Sequence, residues 1–418
     1  MIGAALDRVF REAGGRIVAA LASRFRDLTL AEDAFAEACR RALETWPATG
    51  MPNDAAAWLY QVAVRAGLDA VRRLHTAQRF AAGAEEAVAA DIASDFDARL
   101  IPDERLRLIF VCCHPAIGAE TRAALTLRLV CGLSVLEIAR AFLVSEKTLQ
   151  QRLVRAKRKI AEAGVPFEVP GPSVWPGRLD AVLSTLEIAY AKAYEDAAGQ
   201  GPYAAYAAEV LELSRLLVQL LPDEAEVWAL AALARFTEAR RPARLAVDGR
   251  MVPLAEQDPA CWDRGLIEEA AVYLRRAVAL DSRRPRVLQA RLHATWCARA
   301  RMDDPPPWPQ ILALYDALLT VRDDAVVRLN RAVALAEVAG TETALVEVER
   351  LDARALADFA GYHAVRADLL RRLGRSDEAC RAYDAAIALI STPAERRWLV
   401  ERRDALREKQ GSECTLSP

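Results

Sequence analysis

A chain of 418 residues exceeds what one hydrophobic core organises, so two or more domains are expected. Lys and Arg number 56 against 58 Asp and Glu, for a formal net charge of −2. That excludes a uniformly basic nucleic-acid coat, yet the charge is unevenly spread: 1–160 holds 23 basic and 19 acidic residues, and the acidic excess lies beyond it. Ala, Leu, Arg and Glu outnumber the β-branched and aromatic residues that strands prefer, which points to an all-α protein.

No apolar run reaches the roughly 20 residues of a membrane span, and charged residues interrupt the N-terminal stretch where a leader's apolar core would lie. A cytoplasmic protein with no membrane partner is expected. Eight cysteines without a leader do not suggest a disulfide framework. Cys112, Cys113 and His114 form the one Cys/His cluster; adjacent cysteines lack the spacing of zinc ligands, so buried packing is expected and no metal or other cofactor. The four histidines are scattered, and no phosphate-binding glycine loop or nucleophile motif occurs, which argues against an enzyme.

In chain order, helical periodicity runs over 1–80, broken by a loop at "WPATGMPND", Trp46 to Asp54. A small-residue, acidic linker follows at 81–103. Helical pattern returns over 104–163, and "GVPFEVPGPSVWPG" marks a boundary at 164–177. The remainder, 178–418, reads as helix pairs joined by short turns. Within it "GYHAVRADLLRRLGRSDEACRAYDAAIALI" carries Ala367, Gly374, Ala379, Tyr383 and Ala386 at the spacing of a tetratricopeptide repeat, with degenerate relatives before it. An irregular helical solenoid is expected, because each pair can bury its apolar face only against a neighbour.

The stretch Leu133 to Ile160 has the pattern of a helix-turn-helix. Ser134 and Glu137 form a capping box for a helix over Val135 to Phe142, and Ser145 is placed to cap a second helix. Leu149, Leu153, Ala156 and Ile160 make an apolar stripe on that second helix. Its other face is basic. Glu146, Lys147, Thr148 and Gln151, at the leading end, are placed for base edges; Arg152, Arg155, Lys157, Arg158 and Lys159 are placed for phosphates.

These residues resemble a known family. "GLSVLEIARAFLVSEKTLQQRLVRAKRKI" is similar to region 4 of bacterial RNA polymerase sigma factors of the extracytoplasmic-function class, and "LTLAEDAFAEACRRALETWP" with "AAWLYQVAVRAGLDAVRR" to region 2. The whole chain resembles a subgroup with a long tetratricopeptide-like C-terminal extension. The resemblance implies a region 2 bundle, a region 4 helix-turn-helix domain and a regulatory helical-repeat domain. It also implies core RNA polymerase (β′ clamp helices and β flap) and promoter DNA as partners, a monomeric free chain and no dedicated anti-sigma factor.

On the matching positions, Asp33 and Glu37 would meet the β′ clamp helices, four apart on one helical face. The −10 element would be opened by flipping a base into the Trp46 to Asp54 loop, where Asn53 is placed to bond a base edge. Arg65, Arg72 and Arg73 would hold backbone phosphates. Trp58 is either a stacking platform there or part of the core, and the apolar Leu59 and Val62 beside it favour the core. Val64-Arg65-Ala66 stands where an Arg-Asn pair is common, so the side chain that reads the upstream edge of the element stays open. Further on, Arg241, Arg244, Gln257, Asp258, Trp262 and Asp263 match a turn-rich stretch of the subgroup, expected to dock on regions 2 and 4 or on polymerase. A helix-turn-helix regulator with an effector-binding helical-repeat domain is the alternative, and it leaves the region 2 likeness unexplained.

Overall fold

The computed structural model describes residues 2–82, 108–115, 117–130, 133–142, 144–165, 175–195, 204–390 and 392–414. The expected 81–103 linker lies almost wholly outside them, as does most of the Pro/Gly stretch. Contacts divide the chain into two compact units, Met1–Lys192 and Ala193–Pro418. The division therefore falls after the expected boundary at 164–177.

In the first unit, α1 (Ile2–Phe25), α2 (Leu28–Thr49) and α3 (Ala55–Ala82) pack mutually. Asp27 caps α2 by accepting from the N–H groups of Thr29 and Leu30 at 2.8 and 3.0 Å. Helix α2 runs three residues beyond Trp46, through Pro47, so the expected loop is shorter and starts at Gly50. Trp46 is 1% exposed and stays in the core, whereas the amide that proline lacks falls on an exposed turn. Packing outweighs that single missing bond. Gly50, at φ +79°, then ends the helix, and its N–H donates to the Trp46 carbonyl at 3.0 Å.

The helical stretch 108–112 (α4) is followed by α5 (Ala119–Leu129), α6 (Val135–Ala141) and α7 (Glu146–Glu162). Ser145 caps α7, its hydroxyl accepting from the Thr148 N–H at 3.1 Å. Leu149, Leu153, Ala156 and Ile160 are all buried, as the stripe requires. Buried Ala139 on α6 is the small residue that lets α6 and α7 cross closely. Helix α8 (Trp175–Glu195) lies largely in this unit too, and its Val182, Leu183 and Leu186 are at most 1% exposed. The Cys113 thiol donates to Thr185 of α8 at 3.4 Å. Burial pushes that thiol up to about 11, which suits packing.

The second unit contains α9 (Ala204–Leu220), α10 (Ala225–Ala239), α11 (Arg264–Leu280), α12 (Pro285–Cys297), α13 (Trp308–Val321), α14 (Ala325–Val338), α15 (Thr341–Glu349), α16 (Ala360–Arg372), α17 (Ser376–Leu389) and α18 (Pro393–Cys414). Consecutive helices pack on one another, and the core passes from α10–α12 through α12–α14 to α14–α18. The sequence repeat is α16–α17. Ala367, Ala379, Tyr383 and Ala386 are 0% exposed, and Gly374 takes the left-handed turn at φ +72°. Toward the start of the unit, buried arginines join helices: Arg235 reaches Glu269 of α11 at 2.7 Å and Ser214 of α9 at 3.0 Å, and Arg286 of α12 pairs with Glu226 of α10.

Candidate nucleic-acid interface

Helix α7 presents two chemically distinct faces. Opposite its buried stripe, Glu146, Lys147, Gln151, Arg155 and Arg158 are exposed, with Thr148 and Arg152 half-buried beside them. Ser145 holds the helix start, so the leading residues project from a fixed first turn. The arrangement offers amide and ammonium groups at the tip for base edges and guanidinium groups behind for phosphates. Lys157 departs from its expected role in this conformation. Its ammonium donates to Glu32 of α2 at 2.7 Å, with both side chains largely covered.

Glu32 also accepts from Arg128 of α5 at 3.2 Å, and Arg128 in turn donates to the Leu133 carbonyl at 2.9 Å. One carboxylate thus joins the three-helix bundle to both α5 and α7. Reading the sequence missed Glu32 and Arg128, because partners 96 and 125 residues away leave no local signal. A cavity of about 350 Å³ beside the tie is lined by Phe35, Cys39 and Leu43 of α2 and by Leu129 of α5.

On α2, Asp33 is exposed, and Asp33 and Glu37 open onto one cleft with Arg41 of α2 and Asp69 and Arg73 of α3. Hydrogen bonds from Arg40 and Arg41 hold the Glu37 carboxyl down to about 2, so it stays charged at any physiological pH. Asn53, Arg65, Arg72 and Arg73 are exposed, and Arg72 also pairs loosely with Asp69 at 3.7 Å. Trp58 is half-buried with its ring edge-on to Trp46 at 5.4 Å, which makes it chiefly a core residue. Among the described residues no group of three or more His, Cys, Asp or Glu is placed to hold a metal, and no helix is long and apolar enough to cross a membrane.

The insert between α10 and α11 uses its matched side chains internally. Arg241 pairs with Glu238 at 2.7 Å; Gln257 and Trp262 are 5% and 3% exposed; Asp258 and Asp263 cap the turns that follow them. Arg244 reaches Glu395 at the start of α18 at 3.2 Å, Arg250 approaches Glu401, and Arg402 donates to Glu256. The insert therefore lies against the last helix of its own unit, with Arg244 paired there and Arg241 and Gln257 bonded locally.

Family models place these features. Residues 9–76 match sigma-70 region 2, and residues 107–160 match sigma-70 region 4. The chain belongs to the sigma-70 family. Its region 4 carries α5 to α7 and its region 2 the bundle α1 to α3, an arrangement like that of the extracytoplasmic-function class with a C-terminal extension. Residues 178–278 of this sigma-family chain match a family of unknown function (DUF6596). It is 40% identical over 408 residues to an uncharacterized protein of Rhizobium meliloti (strain 1021), covering 96% of each chain. A solved structure, that of yeast Tom70, aligns with 91% of this chain and 80% of its own at 13% identity and a TM-score of 0.33, too low a likeness to carry an argument. The sigma-70 regions make promoter recognition the role of the first unit.

Proposed function

We propose that this chain binds core RNA polymerase through α2, directs it to promoters through α3 and α7, and is modulated by its C-terminal unit. The observation that carries the reading is one chain with an exposed Asp33 beside the arginine-paired Glu37 on α2 and an exposed basic face on a capped recognition helix, in the family's order. In this reading Asp33 supplies the more accessible charge for a basic clamp surface, while Glu37 presents its carboxylate together with Arg40 and Arg41. Asn53, Arg65, Arg72 and Arg73 face the −10 element, and Lys147, Gln151 and Arg155 lead into the −35 element.

Such a role requires the two regions to separate. Elements at −10 and −35 lie about 25 base pairs apart, on the order of 85 Å of duplex. The Glu32 tie holds region 4 against region 2, so this conformation is a resting one that polymerase or DNA must open. Run-off transcription with core polymerase tests the central claim. Wild-type chain should start transcription, and Asp33→Lys with Glu37→Lys should abolish it while −35 duplex binding remains. A chain that binds the duplex yet never directs initiation would leave the conventional regulator as the better reading.

A further inference from the structure

The second unit carries an open-mouthed cavity of about 470 Å³ between the insert, α12 to α14, α16 and α18. Its existence follows from the ion pairs that hold the insert on α18, since Pro253 to Glu256 form one wall and Trp398 and Arg402 another. That volume is in the range of small-molecule sites. Four aromatic side chains line it: Trp296, Trp308, Tyr315 and Trp398. Trp296 and Trp308 meet edge to face at 5.0 Å, and Trp398 lies under the Arg402 guanidinium at 4.3 Å, so the three indole rings are held in place.

Charge and hydrogen bonding narrow the occupant. Three carboxylates stand at the wall, and three guanidinium groups answer them: Asp368 accepts from Arg371, Arg372 and Arg402, Glu337 from Arg372, and Glu256 from Arg402. A charged ligand would find no uncompensated counter-charge. Among the described residues the indole N–H groups of Trp296, Trp308 and Trp398, all on side chains that line the cavity, donate to no protein acceptor, and none of them is sealed from solvent. Asn330 is exposed with its amide equally unengaged, and burial pushes the Tyr315 phenol up to about 12, which keeps it a neutral donor. Unused donors beside flat apolar walls call for a flat ligand that brings acceptors.

We propose that this cavity is a binding site for an uncharged, planar aromatic small molecule bearing hydrogen-bond acceptors. The claim concerns the second unit alone and stands whether or not the chain directs initiation. The test is a fluorescence titration of the full chain with prodan, a neutral naphthalene carrying a ketone. One saturable site with blue-shifted emission is expected. Val333→Trp and Ala364→Trp fill the cavity from α14 and α16 and should each weaken binding at least ten-fold; Asn330→Leu, at an exposed position, should weaken it several-fold with the melting temperature unchanged. Absence of saturable binding would overturn the proposal, as would binding that survives both filling variants. Equal or tighter binding of the anionic 8-anilinonaphthalene-1-sulfonate at the same site would overturn the inferred neutrality.

Discussion

Helix α3 approaches the end of α1 so closely that a methyl group at Gly67 would sit 2.5 Å from the Phe25 ring. Alanine in a helix interior gains about 1 kcal/mol over glycine. Displacing a packed ring costs about 1–3 kcal/mol, so the clash outweighs the propensity. Gly67→Ala should therefore lower stability by about 1 kcal/mol in chemical denaturation, and the same change in a Phe25→Leu background should become neutral or stabilising. A second residue-scale case is His293 on α12, half-buried against the end of α10. Arg240 can only donate, and its Nη2 lies 2.6 Å from the His293 Nδ1, so Nδ1 carries the lone pair and the proton resides on Nε2. Burial, with Arg240 beside it, pushes the imidazole well below its ordinary value. The folded chain thus binds no proton there where the unfolded chain does, and stability falls as pH drops below about 6.5, by up to about 1.4 kcal/mol per pH unit. His293→Gln, whose amide oxygen can still accept from Arg240, should remove that part of the acid slope in pH-dependent unfolding; an unchanged slope would place the titration elsewhere.

Helix α7 separates affinity from sequence reading. Arg155, exposed behind the tip, should act on phosphate alone: Arg155→Ala weakens binding to any duplex and reduces the salt dependence by about one counterion. Gln151, nearer the tip, should carry base discrimination, and its loss is expected to cost about 1–3 kcal/mol against the preferred −35 sequence while leaving non-specific binding intact. Equilibrium binding at several salt concentrations distinguishes the two. This helix was legible in the sequence because every signal in it is local: the Ser145 cap, the buried stripe at helical spacing, and the basic opposite face. The α16–α17 repeat was legible for the same reason. Pro47 misled, since a proline usually breaks a helix, and only the burial of Trp46 shows why α2 continues. What the sequence did not show is how the insert packs: Arg244 and Arg250 find their partners, Glu395 and Glu401, some 150 residues on, in a helix whose sequence gives no sign of them.

At the scale of the first unit, the tie through Glu32 joins α2 to both α5 and α7. Glu32 and Lys157 are 16% and 17% exposed and Arg128 is 27% exposed, so salt screens the cluster less than it would a surface pair. In the function proposed above, promoter DNA competes for the same Lys157, and the energy of the tie is then subtracted from region 4 affinity. Couplings of this kind are typically about 1–3 kcal/mol. Glu32→Gln leaves Lys157 and the rest of α7 intact, yet it sets Arg128 and Lys157 side by side without a counter-charge, and their repulsion favours opening. The expected result is a larger radius of gyration by small-angle X-ray scattering and −35 duplex binding at least five-fold tighter than wild type. Lys157→Glu combined with Glu32→Lys should restore the compact form only in part, because α2 and α7 then again carry opposite charges while the ammonium placed on α2 faces Arg128 of α5. If Glu32→Gln neither expands the chain nor tightens DNA binding, regions 2 and 4 are held together by the apolar contacts of α1 and α5 and not by this carboxylate.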